Sequence, residues 1–115
     1  MPSPSEFVAE HVETFNRAVA SGDYAPLVAR FTDDAVLRLV NVPPVGTTLE
    51  FAGREALARA YAQNGPDDQI DLTGEPGGEG DHVSAVFAWR RDQRPGVMDF
   101  VLAGELVSKL TVTFG

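Results

Sequence analysis

One carboxylate in the second half of the chain lies among apolar residues and is the first candidate for chemistry. Asp99 alternates with Val97 and Val101, and side chains two apart in a strand point to the same face. A carboxylic acid in apolar surroundings is costly to ionise, so it can donate a hydrogen bond to a carbonyl oxygen. A second interpretation stays open, in which Asp99 forms an ion pair with one of three nearby arginines: Arg90, Arg91 or Arg94.

Other polar residues carry weaker indications. The two histidines, His11 and His82, are far apart in the sequence, and no cysteine is present. We therefore predict neither a metal site nor a cofactor, and we interpret both histidines as structural. The glycine-rich segment 74–80 lacks the lysine and the following helix of a phosphate-binding loop, so it is predicted to be a turn.

Composition limits the classes of partner. With 115 residues, 43% of them hydrophobic, the chain can form one core, and a single domain is predicted over residues 1–115. A net charge of −8 repels phosphate backbones and anionic lipid, so neither nucleic acid nor a membrane is an expected partner. The first residues lack the basic and apolar pattern of a secretion signal, which favours a cytoplasmic location.

Three helices are expected to position the candidate residues. In the first, Ser3 can cap, Pro4 suits the first turn and Glu6 follows three residues after the cap. Apolar residues then recur at helical spacing until Ser21 and Gly22, namely Phe7, Val8, Val12, Phe15 and Val19. A short second helix is predicted over 23–31 and a third over 54–63.

Strands are predicted over the remaining segments, which are 35–40, 48–51, 69–73, 82–90, 97–102 and 106–114. Short turns join the last four, which indicates an antiparallel meander. Alternation predicts inward rows of Leu37 and Leu39, then Ala85, Phe87 and Trp89, then the row of Asp99, then Leu110, Val112 and Phe114. The opposite row of the Asp99 strand, Met98, Phe100 and Leu102, is too apolar for water, so we predict a homodimer through the sheet.

The order of these elements and several short motifs resemble the nuclear transport factor 2-like superfamily, in particular its SnoaL-like and ketosteroid isomerase-like members. The resemblance covers nearly the whole chain and rests on residues 15–18, 21–23, 31–36, 53–57 and 110–114. It implies an α+β fold: a cone-shaped α+β barrel in which three helices of the N-terminal half pack in a strongly curved, mostly antiparallel sheet. A pocket would open at the wide end of the cone.

The resemblance also implies roles for individual residues. Asp99 matches the position of an aspartate that donates a hydrogen bond to the substrate in ketosteroid isomerases. Tyr61 matches a tyrosine of the third helix that supports the oxyanion site of those enzymes without touching the substrate. The ligand-binding candidates are the predicted pocket residues Phe15, Phe31, Leu37, Leu39, Phe87, Trp89, Val101, Val112 and Phe114.

Two departures limit the inferred reaction. Phe15 replaces the tyrosine that donates the main hydrogen bond in those isomerases, and Leu39 replaces their aspartate base. Without a base, steroid isomerisation by that mechanism is not expected. The predicted function is binding of a small apolar, carbonyl-bearing molecule, polyketide- or steroid-like. An isomerase or cyclase that uses Asp99 and a non-catalytic module for ligand binding or dimerisation both remain open.

Overall fold

The computed structural model describes residues 3–115, except for the side chain of Asn64. Three helices pack against one face of a curved sheet: α1 (Pro4–Ser21), α2 (Ala25–Val28) and α3 (Arg54–Asn64). The sheet has seven strands in the described chain. They are β1 (Phe31–Val42), β2 (Thr47–Ala52), β3 (Ile70–Leu72), β4 (Gly77–Glu79), β5 (His82–Trp89), β6 (Pro95–Ala103) and β7 (Leu106–Phe114).

Helix α1 begins and ends at the residues that the sequence predicts. The Ser3 hydroxyl accepts a hydrogen bond from the Glu6 backbone N–H at 3.2 Å, and Pro4 occupies the first turn. The helix ends at Gly22, whose φ of +77° is a left-handed conformation that glycine adopts without steric cost. The helix therefore presents one buried stripe to the sheet.

One amide fixes the end of α1 against the sheet. The Asn16 side chain donates to the backbone carbonyl of Ile70 and accepts from the backbone N–H of the same residue, both at 2.9 Å. The Gln69 side chain in turn donates to the Asn16 carbonyl at 2.9 Å. These bonds satisfy backbone groups of β3, which is an edge strand.

The order of the strands is β2-β1-β7-β6-β5-β3, and β4 pairs with the other end of β5. Every pairing is antiparallel except that of β1 with β7, in which Leu37 lies opposite Leu110 in parallel register. The curved sheet stays open in the described chain, with β2 at one edge. The cone-shaped α+β architecture predicted from the sequence is confirmed.

The largest differences from the sequence-based boundaries concern α2, β1 and β4. Helix α2 ends at Val28 instead of continuing to Phe31, which begins β1. The chain extends there because Phe31 lies opposite Val107 of β7, and the Val107 N–H donates to the Arg30 carbonyl at 2.8 Å. Residues 77–79 form the short strand β4 within the segment predicted to be a turn.

Strand β6 buries the opposite face to the one predicted. Met98 and Phe100 are 4% and 1% exposed, respectively, whereas Asp99 is exposed. The pairing with β5 fixes this orientation, because Ala85 lies opposite Met98 and Ser84 lies opposite Asp99. Since residues directly opposite each other point to the same face, the buried side of β5 continues through Met98 and not through Asp99.

This orientation removes the reason for the predicted homodimer. Met98 and Phe100, which were expected to lie on the outer face, belong to the core, and Leu102 is half-buried against it. The outer row of β6 consists instead of Val97, Asp99 and Val101. The homodimer stays a prediction without this support.

None of the described helices combines the length and the apolar composition that crossing a bilayer requires.

Candidate functional site

A cavity of about 540 Å³ lies between the helices and the concave face of the sheet. Strands β1, β5 and β7 and helix α1 supply most of its apolar wall. The predicted ligand-binding residues that line the cavity are Phe15, Leu37, Leu39, Phe87, Trp89, Val112 and Phe114. The expected inward rows of these strands therefore meet around one space, which Met98 of β6 also lines.

Aromatic rings form one wall of the cavity. Trp89 stacks on Phe114 with ring centroids 6.0 Å apart, and it meets Phe87 edge to face at 5.6 Å. The ring of Phe87 lies over Gly96 on the neighbouring strand, where an added Cβ would overlap Cζ of the ring. Glycine at this position is what allows the ring to lie so close to β6.

Two ligand-binding candidates do not line the cavity. Phe31 is fully buried between α1 and the sheet, where its ring meets that of His11. Val101 points to the outer face of β6, because it belongs to the same row as Asp99. For these two residues the predicted contact with a ligand is wrong.

Asp99 also lies outside the cavity, so both interpretations of this residue are wrong. Its carboxylate accepts a hydrogen bond from the Ser84 hydroxyl at 2.7 Å on the exposed face of the sheet. The arginines considered as its partners have other contacts, since Arg90 pairs with Asp71 at 3.0 Å and Arg91 with Asp67 at 3.6 Å, and no ion pair found among the described residues includes Asp99. Asp99 is a surface residue in this fold.

The polar group that does reach the cavity from the core is His11, which the sequence-based interpretation treated as structural. His11 is 2% exposed and lines the cavity from α1. Its Nδ1 accepts a hydrogen bond from Nε of Arg30 at 3.2 Å. Burial, and then the charge of Arg30, lower the pKa of His11 from 6.5 to about 3, so the imidazole is neutral at physiological pH. Its place on the stripe four residues after Phe7 and four before Phe15 was the available sequence signal.

Arg30 is itself held in place by several contacts. Its guanidinium forms an ion pair with Glu10 at 3.2 Å and lies 5.0 Å from the centre of the Phe7 ring. The arginine side chain is 14% exposed, which limits the conformations open to it. The hydrogen bond from Arg30 to Nδ1 therefore fixes the orientation of the His11 ring.

Tyr61 of α3 is the other candidate with a polar group at the cavity. Its ring stacks on Tyr24 with centroids 5.5 Å apart, and the Tyr24 hydroxyl donates to the Pro66 carbonyl at 2.8 Å. Burial, and then Tyr24, raise the pKa of Tyr61 above its usual value, so its hydroxyl stays protonated. The expected role of Tyr61 behind an oxyanion site that includes Asp99 is wrong, because Tyr61 lines the cavity itself and Asp99 lies on the other face of the sheet.

Known structures share this architecture. A nuclear transport factor 2-like protein of unknown function from Mesorhizobium loti is 21% identical, with a TM-score of 0.67 over 100% of this chain and 96% of that one. A SnoaL-like protein of unknown function from Burkholderia thailandensis is 14% identical, with a TM-score of 0.69 over 95% of each chain. The chain has the nuclear transport factor 2-like fold.

This likeness establishes the fold and leaves the function open. No family model matches the chain, and no curated protein matches it. A de novo designed protein with a curved β-sheet has a TM-score of 0.68 over 96% of this chain, with 14% identity. The nuclear transport factor 2-like fold can therefore form without a natural function, and the function must be argued from the site.

The acidic groups of this nuclear transport factor 2-like cavity lie towards solvent. Asp67, Asp68 and Asp92 line it beside Arg91, and the Arg91 backbone N–H donates to Asp68 at 3.0 Å. Asp67 has an 84% exposed side chain, and Asp92 is exposed. Within residues 3–115, no three His, Asp or Glu side chains come together as metal ligands would. The deep part of the cavity thus offers apolar surface, one imidazole and one phenol.

Proposed function

We propose that this protein binds a small apolar molecule in the cavity between the helices and the concave face of the sheet. The main support for this proposal is the cavity itself, whose volume of about 540 Å³ lies in the range of natural ligand sites. Its wall is built mainly from aromatic and aliphatic side chains, which gain free energy when a ligand covers them. The flat rings of Trp89 and Phe114 suit a rigid skeleton of polyketide or steroid type.

Binding without catalysis is the alternative that the geometry favours. The predicted isomerase or cyclase chemistry depended on Asp99, which lies on the exposed face of the sheet. Phe15 and Leu39 line the cavity, and neither side chain can accept or donate a proton. The cytoplasmic location and the homodimer stay predictions beside this proposal.

Fluorescence provides a direct test, because Trp89 is the single tryptophan of the chain and lines the cavity. We expect the neutral probe N-phenyl-1-naphthylamine to gain fluorescence on binding and to quench Trp89 by energy transfer, saturably and at one site per chain. A titration at constant protein concentration measures the dissociation constant. A linear, unsaturable response would contradict the proposal.

Two neighbouring substitutions separate binding in the cavity from adsorption on the surface. Val112→Phe adds volume inside the cavity, whereas Thr113→Phe adds the same ring to the opposite face of β7. We expect the first change to weaken probe binding by at least about tenfold, since overpacking opposes the ligand directly. Thr113→Phe should leave the affinity within about twofold, because this side chain points away from the cavity. Equal losses in both variants would place the probe elsewhere.

A further inference from the structure

We infer that the Nε2–H group of His11 donates a hydrogen bond to a neutral acceptor on the bound ligand, a carbonyl oxygen. His11 would in this way select carbonyl-bearing ligands over hydrocarbons of the same shape. This inference rests on the proposed function, since it concerns a ligand in the same cavity. It assigns the recognition of the carbonyl to α1 instead of β6.

The hydrogen bond from Arg30 determines which nitrogen of His11 carries the proton. Arginine can only donate, so Nδ1 of His11 must be the acceptor in the bond of 3.2 Å. A neutral imidazole then carries its hydrogen on Nε2. The fold therefore already holds His11 in the tautomer that can donate a hydrogen bond from Nε2 to a ligand.

The Nε2 atom is left available to the cavity. No described residue accepts a hydrogen bond from it, and His11 lines the cavity. Among the described side chains, no nitrogen or oxygen is both fully enclosed and without a partner. Nε2 has no described partner and is therefore not fully enclosed, and the cavity is the space that His11 lines. A buried donor left in this state gains from any acceptor that reaches it.

Aromatic packing holds the imidazole rigid. The rings of Phe7, Phe31 and Phe100 surround it with centroid distances of 6.3, 6.2 and 5.0 Å. Arg30, which holds the other nitrogen, is anchored by Glu10. A donor fixed on both sides loses little freedom when a ligand binds, which favours affinity and specificity together.

The chemistry of the cavity favours a neutral acceptor. An anion would lose its hydration among apolar walls, and the deep polar groups, His11 and Tyr61, are neutral. A cation would meet an N–H donor and no deep carboxylate. A ketone oxygen needs one donor and can keep a hydrocarbon skeleton against Trp89 and Phe114.

Matched ligands test the inference. 2-Acetylnaphthalene and 2-ethylnaphthalene have nearly the same shape, but the first carries a carbonyl. We expect the wild-type protein to bind the ketone up to about tenfold more tightly, measured by competition with N-phenyl-1-naphthylamine. His11→Met should remove this preference, and His11→Gln should keep much of it, because its amide nitrogen can occupy the place of Nε2.

The outcomes distinguish the two proposals. If neither naphthalene binds, the proposed function fails. If both bind with equal affinity, the cavity binds apolar ligands and the role of His11 fails alone. If the preference for the ketone persists in His11→Met but disappears in Tyr61→Phe, Tyr61 is the donor and the inference is overturned.

A measurement on the wild type covers the case in which His11→Met does not fold. Nitrogen-15 NMR should show His11 protonated on Nε2 and unprotonated on Nδ1. The Nε2 resonance should shift when the ketone is added and stay unchanged with the hydrocarbon. The opposite tautomer, or equal shifts with both ligands, would overturn the assignment.

Discussion

Replacing Phe100 by alanine should lower the free energy of unfolding by about 3–5 kcal/mol, the usual cost of removing a large buried ring. Phe100 is 1% exposed, and its ring meets Phe7 edge to face at 5.4 Å and His11 at 5.0 Å. The substitution removes buried apolar surface and leaves a cavity beside the first helix. Urea unfolding followed by Trp89 fluorescence measures the effect.

Asp99→Ala is the matched control, since it changes the adjacent residue on the other face of β6. Asp99 contributes one exposed hydrogen bond from Ser84, so we expect a change within about 0.5 kcal/mol. Ligand affinity should also be unaffected, because the carboxylate does not reach the cavity. A large loss in Asp99→Ala together with a small one in Phe100→Ala would mean that β6 has the orientation first predicted from the sequence.

His11 should make the protein sensitive to acid over a definite range. The pKa of His11 falls from 6.5 in the unfolded chain to about 3 in the folded protein. Between these values the unfolded state binds a proton that the folded state excludes, so stability falls as the pH falls below 6.5. At about pH 5 the loss relative to neutral pH should reach about 2 kcal/mol from this residue.

His11→Gln isolates this contribution, because glutamine does not titrate and every carboxylate of the chain remains. The difference in unfolding free energy between wild type and variant should be constant above neutral pH. It should then change with a slope approaching about 1.4 kcal/mol per pH unit as the wild type loses stability. Urea titrations across this range provide the measurement. Parallel curves for the two proteins would show that the imidazole is not buried in its neutral form.

Local sequence signals were sufficient for most of the fold. The cap at Ser3 and the end at Gly22 fix α1, because both depend on backbone geometry that few residues satisfy. Residues 106–114 alternate so regularly that the last strand was predicted with its observed bounds. The parallel pairing of β1 with β7 joins distant segments, so no local pattern could predict it.

The site was less predictable for two physical reasons. Both rows of β6 are largely apolar, so alternation could not decide between Met98 and Asp99 for the inner face; the pairing with β5 decided it. His11 looked structural, because one histidine on an apolar stripe usually is. Its donor role depends on Arg30, which lies 19 residues away and meets it only in the folded chain.

The parallel pairing of β1 with β7 also has a consequence for how the protein folds. The Asn41 side chain donates to the Phe114 carbonyl across 73 residues of sequence, and Leu37 and Leu39 pair with Leu110 and Val112 in the same sheet. Contacts of such high sequence separation form slowly, because closing the long intervening loop costs conformational entropy before the contacts contribute. During synthesis on the ribosome, the edge of β1 that pairs with β7 would therefore lack a partner strand until β7 emerges, a period in which chaperones or aggregation compete with folding.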